Sequence, residues 1–216
     1  MKRRDFSLHL AAGLGLAAGA NTARAQGGSP VEGTHFVRLQ QPAPVSLPSP
    51  DKKIEVVEFF WYECPHCNAF EPLLDAWGKR LPADVSLRRV PVGFTARHQL
   101  GQKLFYALEE MGQLETLHRR IFAAIHVQNR RLNTEAEMVA FVGANGVDAA
   151  KFTDSFRSFG VNTKATRARQ LTDAYRIDGV PALGIQGRFF TSAALAGSHE
   201  RALAVAEFLL ARVRQT

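Results

Sequence analysis

The chain has 216 residues, of which 46% are hydrophobic and 22% charged, the composition of a globular protein with room for one large domain. Its formal net charge is +7; without positions 1–25, a predicted leader, 23 basic and 19 acidic residues remain, a net charge of +4. This modest charge, with no basic stripe that carries interleaved aromatic residues, argues against a nucleic-acid-binding function.

Residues 1–25 have the pattern of an export signal. Lys2, Arg3 and Arg4 precede an apolar stretch too short to span a membrane as a mature helix, and a small-residue cleavage motif ends at Ala25. The two arginines fit a twin-arginine signal as well as an ordinary secretory (Sec) signal. We therefore predict cleavage after Ala25 and a soluble periplasmic protein, in a compartment where disulfides persist.

The first core elements form a predicted β-α-β unit. Residues 26–50 are proline-rich and loop-like, apart from a short edge strand at 35–39. The run IEVVEFF at 54–60 is β-branched and aromatic with little alternation, which predicts a strand buried on both faces. A helix over 68–81 and a second strand over 85–92 complete the unit.

A helical block follows the second strand. From residue 97 to about residue 159 the apolar residues recur at helical spacing, and Thr134 begins a capping box. One helix of the block is predicted to bury three phenylalanines: Phe152, Phe156 and Phe159. Because strand patterns stand on both sides of this block, we expect it to be an insertion into a single sheet domain.

The last part of the chain returns to the strand pattern. A helix over 164–175 leads to a β-hairpin around Gly187, and Ser198 is predicted to cap a final helix. This order predicts an α/β domain interrupted by an all-helical one. The predicted boundaries are an N-terminal proline-rich segment at 26–50, the α/β domain at 51–96 and 163–216, and the helical insertion at 97–162.

The two cysteines of the chain, Cys64 and Cys67, stand three positions apart directly after the first core strand. As a structural staple, a disulfide in so small a loop contributes only about 2 kcal/mol, against about 4.7 kcal/mol for a hundred-residue loop. A structural zinc site needs four ligands, and no second ligand pair follows at the usual spacing. A redox-active pair is the interpretation that remains.

Cys64 is expected where a strand gives way to a helix. The unpaired N–H groups and positive end of that helix favour a thiolate, so we predict a low pKa for the Cys64 thiol. Pro65 suits the first helical turn, and His66 either donates toward the sulfur or is a solvated loop histidine. Cys67, one turn on, is predicted to be more buried and to act as the resolving thiol.

Val180 and Pro181 stand just before the first strand of the predicted hairpin. The dipeptide predicts either a plain tight turn or a cis peptide bond whose turn lies against Cys64. In the second case the Val180 backbone would offer a strand-like edge to a bound peptide. The cysteine pair upstream favours the second alternative.

The segments EFFWYECPHCNAF at 58–70 and GVPAL at 179–183, with a helical block between them, resemble the DsbA family of periplasmic thiol:disulfide oxidases. This resemblance implies a thioredoxin fold with an inserted all-helical domain. It also implies a Cys64–Cys67 redox disulfide with Cys64 as the nucleophile, and a cis proline at 181. Glu58 stands where the family keeps a buried acid suited to proton transfer, paired with Arg89; the alternative is a partly exposed strand residue.

The resemblance further implies a monomeric enzyme without a cofactor. It would donate its disulfide to unfolded or reduced exported proteins and be reoxidised by a membrane quinone-linked, DsbB-like partner. Two alternatives stay open: a disulfide isomerase or reductase, and a copper chaperone that adds His98 or His126 to the cysteine pair. The isomerase alternative is weakened because residues 26–50 leave no room for an added dimerisation domain.

The three residues directly before Cys64 are bulky or charged. Glu63 directly precedes Cys64, and a carboxylate that pointed inward there would raise the pKa of the thiol. Trp61 and Tyr62 make the lip of the site bulky. We predict that they contact substrate, unless both pack on the edge of the sheet.

Overall fold

A computed structural model describes residues 28–215, so the predicted leader and its cleavage site lie outside the described residues. The strands are β1 (Val37–Arg38), β2 (Ile54–Phe60), β3 (Val85–Pro91), β4 (Ala182–Ile185) and β5 (Phe189–Ser192). The helices are α1 (Pro65–Gly78), α2 (Ala96–Glu110), α3 (Leu114–His126), α4 (Glu135–Ala144), α5 (Ala149–Arg157), α6 (Phe159–Ala174), α7 (Ala193–Ala196) and α8 (His199–Arg214). Within 28–215 none of these helices has the length and apolar character needed to cross a membrane.

The strands form one mixed five-stranded sheet in the order β1-β5-β4-β2-β3. β2 lies parallel to β3 and antiparallel to β4, and all seven of its residues are buried. This confirms the strand predicted from IEVVEFF. In the β2–β3 register Glu58 stands opposite Arg89, which places an acid and a base side by side on the last two strands of the sheet.

The two faces of the sheet carry separate hydrophobic cores. Ile54 and Val56 pack on one face against α1 and α8, together with Leu74 and Trp77. On the other face, Phe59 packs into a larger core formed with the helices that lie between β3 and β4. The site described below lies where β2 leaves the sheet, at the junction of these two layers.

Local signals fixed several boundaries as predicted. Thr134 accepts a hydrogen bond from the Glu137 N–H at 3.2 Å, and Ser198 accepts one from the Arg201 N–H at 3.1 Å. The hairpin turns at Gly187, whose φ is +63°. A Cβ atom at this position would lie 2.2 Å from the Ala43 carbonyl oxygen, so the turn requires glycine for its close approach as well as for its φ.

Two helices differ from the prediction. α1 begins at Pro65 rather than at 68, which places Cys67 inside the helix. α6 begins at Phe159 rather than 164 and runs without interruption across the predicted boundary at 162/163. Ser158 ends α5 and caps α6 by accepting from the Val161 N–H at 3.0 Å, so Phe159 leaves the buried stripe and is 87% exposed. Phe152 and Phe156 are buried as predicted.

Candidate active site

The two cysteines lie at the junction between β2 and α1. Cys64 is the N-cap residue of α1 and Pro65 occupies its first turn, as the sequence predicts. Cys67 lies one turn inside the helix and is 0% exposed, whereas Cys64 is 8% exposed. Both are free thiols. The outer sulfur therefore faces the open N-terminus of a helix and the inner one faces the core.

The pKa of the Cys64 thiol is lowered from its ordinary value of 9.0 to about 6. The largest cause is a hydrogen bond from the Cys67 thiol; backbone N–H groups of Cys67 and His66 and the charge of His66 add to it, while burial opposes them. At pH 7 a thiol with this pKa stabilises the reduced form by about 1.4 kcal/mol, or on the order of 30 mV for a two-electron couple. This stabilisation is fully present above the ordinary thiol pKa and is lost as the pH falls through about 6.

The pKa of the Cys67 thiol is shifted in the opposite direction, far above its ordinary value. Burial is the largest cause, followed by the hydrogen bond and charge of Cys64. Cys67 therefore stays a neutral thiol when Cys64 is a thiolate. A reduced pair with one charged and one protonated sulfur is what an attacking and a resolving thiol require.

The peptide bond between Val180 and Pro181 is cis, which confirms the second alternative drawn from the sequence. The thiol of Cys64 donates a hydrogen bond to the Val180 carbonyl oxygen, with 3.5 Å between sulfur and oxygen. Beside this contact lies a cavity of about 300 Å³, whose wall includes His66, Val180, Pro181, Phe190 and His199. The half-buried backbone of Val180 and this cavity therefore lie side by side next to Cys64.

Below the cysteines, Glu58 is fully buried, so the alternative of a partly exposed strand residue is wrong. Its carboxylate lies 3.3 Å from the Nε of Arg89, the pair expected from the sequence. Burial, and next the charge of Glu71, raise the pKa of the Glu58 carboxyl well above its ordinary value. Burial thus favours the protonated form of this carboxyl, which lies in the core near Cys67.

Arg89 is the centre of a larger buried cluster. Its Nη2 donates to the Glu71 carboxylate and, at 2.8 Å, to Asp75, both on α1. Glu71 also lies 3.4 Å from the Nε2 of His118 on α3. Five groups from four elements thus converge under the redox pair, and the sequence had indicated only the two from the sheet.

Comparisons with known proteins agree with this geometry. The family model of the DSBA-like thioredoxin domain matches residues 74–202, more than half of the chain. The thiol:disulfide interchange protein DsbA of Pseudomonas aeruginosa is 39% identical over 182 residues, 84% of this chain and 85% of that protein. The DsbA of Burkholderia cepacia is 40% identical over 201 residues, 93% of each chain. The crystal structure of Pseudomonas aeruginosa DsbA superposes with a TM-score of 0.81 at 38% identity, and the match covers 86% of this chain and 95% of that one.

The chain belongs to the DsbA family. It is a thiol:disulfide oxidoreductase with a thioredoxin fold that carries a helical insertion, as the motifs predicted.

One residue of the lip of this DsbA-family site is not where the sequence placed it. Tyr62 was expected to contact substrate, but it is 2% exposed, and its hydroxyl lies 2.9 Å from the Nδ1 of His118. Its ring packs edge-on against Phe60 and Phe122. Tyr62 is therefore a core residue, because α3 covers it from a distant part of the chain.

The other two lip residues lie toward the solvent. Trp61 is half-buried, with His98 stacked on it at 4.4 Å between ring centroids and the Arg97 guanidinium 5.5 Å from its ring. Glu63 forms an ion pair with Arg97. The carboxylate is thus paired with Arg97, and the Cys64 pKa does not show the rise that an inward-pointing Glu63 would cause.

The histidines named for a copper site are occupied elsewhere. His98 stacks on Trp61, and the Nε2 of His126 donates to the Tyr62 carbonyl oxygen at 2.8 Å. In the part of the chain that the structure describes, no group of three or more His, Cys, Asp and Glu side chains is arranged to hold a metal ion.

Proposed function

We propose that the chain is a periplasmic dithiol oxidase that donates a Cys64–Cys67 disulfide to newly exported proteins. The observation that carries this proposal is the placement of the two sulfurs: Cys64 lies at the N-terminus of α1, where its pKa is lowered to about 6, and Cys67 is 0% exposed inside the helix, where burial raises its pKa. A thiolate at Cys64 stabilises the reduced form, and a protein whose reduced form is stabilised gives its disulfide away.

The transfer proceeds in two exchanges. A substrate thiolate attacks the sulfur of Cys64, the Cys64–Cys67 bond breaks, and Cys67 leaves and takes up a proton. A second substrate thiolate then attacks the substrate sulfur of the mixed disulfide, and Cys64 leaves as a thiolate. Two electrons pass from the substrate thiols to the cysteine pair, one proton ends on Cys67, and the other is released.

Glu58 is suited to supply the proton that Cys67 takes up. It is buried, the pKa of its carboxyl is raised well above the ordinary value, which favours the protonated form, and its ionised form is close enough to Cys67 to raise the pKa of that thiol. Because Cys67 is buried away from solvent, a proton donor inside the core shortens the path that the proton must travel to its sulfur. When the pair is reoxidised, the same carboxylate accepts the proton back.

Substrate is proposed to bind along the cis-Pro181 turn. The Val180 carbonyl beside Cys64 offers a backbone acceptor, and the adjacent cavity accommodates one apolar side chain. Trp61, on the opposite lip, is proposed to contact the substrate as well. Backbone recognition with one apolar pocket suits unfolded chains of many sequences.

The proposed setting is the periplasm, after cleavage of the leader at Ala25. A catalytic oxidase must regain its disulfide, and we propose a membrane quinone-linked, DsbB-like protein as the oxidant, by analogy with the family. The isomerase and copper-chaperone alternatives have no observation in their favour at this site.

Disulfide transfer to reduced, unfolded ribonuclease tests the proposal. The oxidised chain is expected to restore ribonuclease activity, and Cys64→Ser is expected to abolish transfer. Cys67→Ser is the matched control, because it should trap a mixed disulfide with glutathione at Cys64, which Cys64→Ser should not form. A reduction potential near the roughly −270 mV of thioredoxin would reject the oxidase function.

A further inference from the structure

His118 is a buried histidine that the proposed chemistry does not use. It is 4% exposed and stands among aromatic rings, with the centroids of Phe60, Tyr62 and Phe122 5.2–5.3 Å from the centroid of the imidazole. We call these three rings the aromatic box. An imidazole in such surroundings is costly unless its two nitrogens are satisfied. Each nitrogen of His118 has one polar neighbour: Nδ1 is hydrogen-bonded to Tyr62, and Nε2 lies at ion-pair distance from Glu71 without a hydrogen bond. Both neighbours flank the redox pair.

The first neighbour is Tyr62, two residues before Cys64. Its hydroxyl lies 2.9 Å from the Nδ1 of His118, and burial raises the pKa of this phenol well above its ordinary value, so it stays a neutral hydroxyl. The Tyr62 carbonyl accepts a second hydrogen bond from His126 on the same helix. α3 thus holds the residue that leads from β2 into the active-site turn by its side chain and by its backbone.

The second neighbour is Glu71, four residues after Cys67 on α1. Its Oε2 lies 3.4 Å from the Nε2 of His118. Burial alone would raise the pKa of the Glu71 carboxyl, but His118 and Arg89 together hold it below its ordinary value. His118 therefore helps to keep a carboxylate charged beside Arg89, and Arg89 in turn faces Glu58.

We propose that His118 is a positioning residue of the redox centre: by holding Tyr62 before Cys64 and Glu71 after Cys67, it couples the helical insertion to the redox equilibrium of the cysteine pair. The hydrogen bonds that stabilise the Cys64 thiolate come from the first turn of α1, and such stabilisation falls off within one turn. A small displacement of the turn against the helix weakens them. Loss of His118 is therefore expected to make the chain a weaker oxidant.

The inference rests on the proposed redox function of Cys64 and Cys67, and it is tested by the equilibrium of each variant with reduced and oxidised glutathione. For His118→Leu we expect the equilibrium constant for oxidation of glutathione to fall by about tenfold, with the Cys64 pKa raised by about one unit. His118→Gln retains a donor that reaches Glu71 and is expected to stay within about threefold of the unaltered chain. Tyr62→Phe removes only the hydroxyl and should give a smaller fall in the same direction.

The matched control is Phe122→Leu. Phe122 lies on the same helix and in the same aromatic box but has no polar atom, so this change should lower the free energy of unfolding and leave the glutathione equilibrium within about twofold. If His118→Leu behaves in the same way, His118 only fills space and the inference is overturned. If His118→Leu does not fold, Tyr62→Phe and His118→Gln decide the test. A lower glutathione equilibrium constant for Tyr62→Phe, together with a near-native constant for His118→Gln, supports the inference. An unchanged constant for Tyr62→Phe overturns it. Failure of the proposed function is distinguishable, because it would show in the unaltered chain.

Discussion

Charged side chains are exposed to different degrees on the two sides of the redox pair. On the solvent side, Glu63 and Arg97 form an ion pair in which the arginine side chain is 62% exposed. On the core side, Glu58 and Glu71 converge on Arg89, and both carboxylates are at most 4% exposed. The outer pair is screened by water and salt, whereas the inner cluster is not.

The two sides therefore differ in which property a substitution is expected to change: the Cys64 pKa on the solvent side and the stability of the fold on the core side. An exposed ion pair next to Cys64 can change with little effect on folding, so it is suited to fine adjustment of the thiolate pKa. A buried cluster holds each charge against a desolvation cost of several kcal/mol, so removal of one member affects the whole core. Substitutions on the two sides should therefore differ in size, in salt dependence and in which property they change.

The largest effect is expected for Arg89→Leu. The change leaves Glu71 and Asp75 without their shared countercharge, and the free energy of unfolding should fall by about 3–5 kcal/mol. Urea denaturation of the reduced and oxidised forms measures it. Arg119→Ala is the control, since Arg119 is 66% exposed and 3.9 Å from Asp75, and its loss should be close to undetectable. If Arg89→Leu lowered the free energy of unfolding by less than about 1 kcal/mol, the inner cluster would not stabilise the core as described.

Glu58→Gln should give an intermediate effect that depends on pH. Since folding raises the pKa of Glu58, its contribution to stability is fully present below the ordinary value of 4.5 and is lost as the pH rises through the folded pKa. The glutamine variant lacks this loss, so its stability relative to the unaltered chain should increase with pH from 4.5 up to the folded pKa, by up to about 1.4 kcal/mol per unit, and then level off. Urea midpoints between about pH 5 and pH 9 measure the trend; parallel curves would show that Glu58 does not titrate differently in the folded chain.

The smallest effects are expected on the solvent side. Glu63→Gln should lower the pKa of Cys64 by a few tenths of a unit, and Arg97→Ala, which leaves Glu63 unpaired, should raise it by a similar amount. Thiolate absorbance during a pH titration measures both. The two shifts should shrink together in high salt, and equal shifts at low and high salt would mean that the outer pair is not screened as described.

Local patterns were enough for most of the fold and for the reactive centre. The β-branched run at 54–60 was enough to predict β2. The cysteine pair, followed by apolar residues at helical spacing, was enough to predict that Cys64 lies at the start of α1. The register that brings Arg89 beside Glu58 needed only two neighbouring strands. In each case the deciding contacts are either within an element or between elements that are adjacent in the sheet.

The predictions that failed depend on contacts between distant parts of the chain. Tyr62 is buried because His118 and Phe122 cover it from α3, and no sequence feature near position 62 indicates that α3 packs there. For Glu71 the sequence supported no prediction, because its burial depends on the packing of the same α3 over α1. Phe159 fits the helical spacing of Phe152 and Phe156, but a serine cap one residue earlier starts a new helix and turns it outward.

The unbroken course of α6 has a mechanical consequence. The helical insertion leaves the sheet through a short non-helical segment at 92–95, and the chain comes back to β4 through another at 175–181. Between them, α6 runs unbroken over residues 159–174 and crosses the predicted domain boundary at 162/163. Because a regular helix has no compliant joint inside it, movement of the helices against the sheet would be taken up at the two end segments and not at the predicted boundary. An engineer who wishes to exchange the insertion between relatives should therefore join the chains at these segments and not within α6.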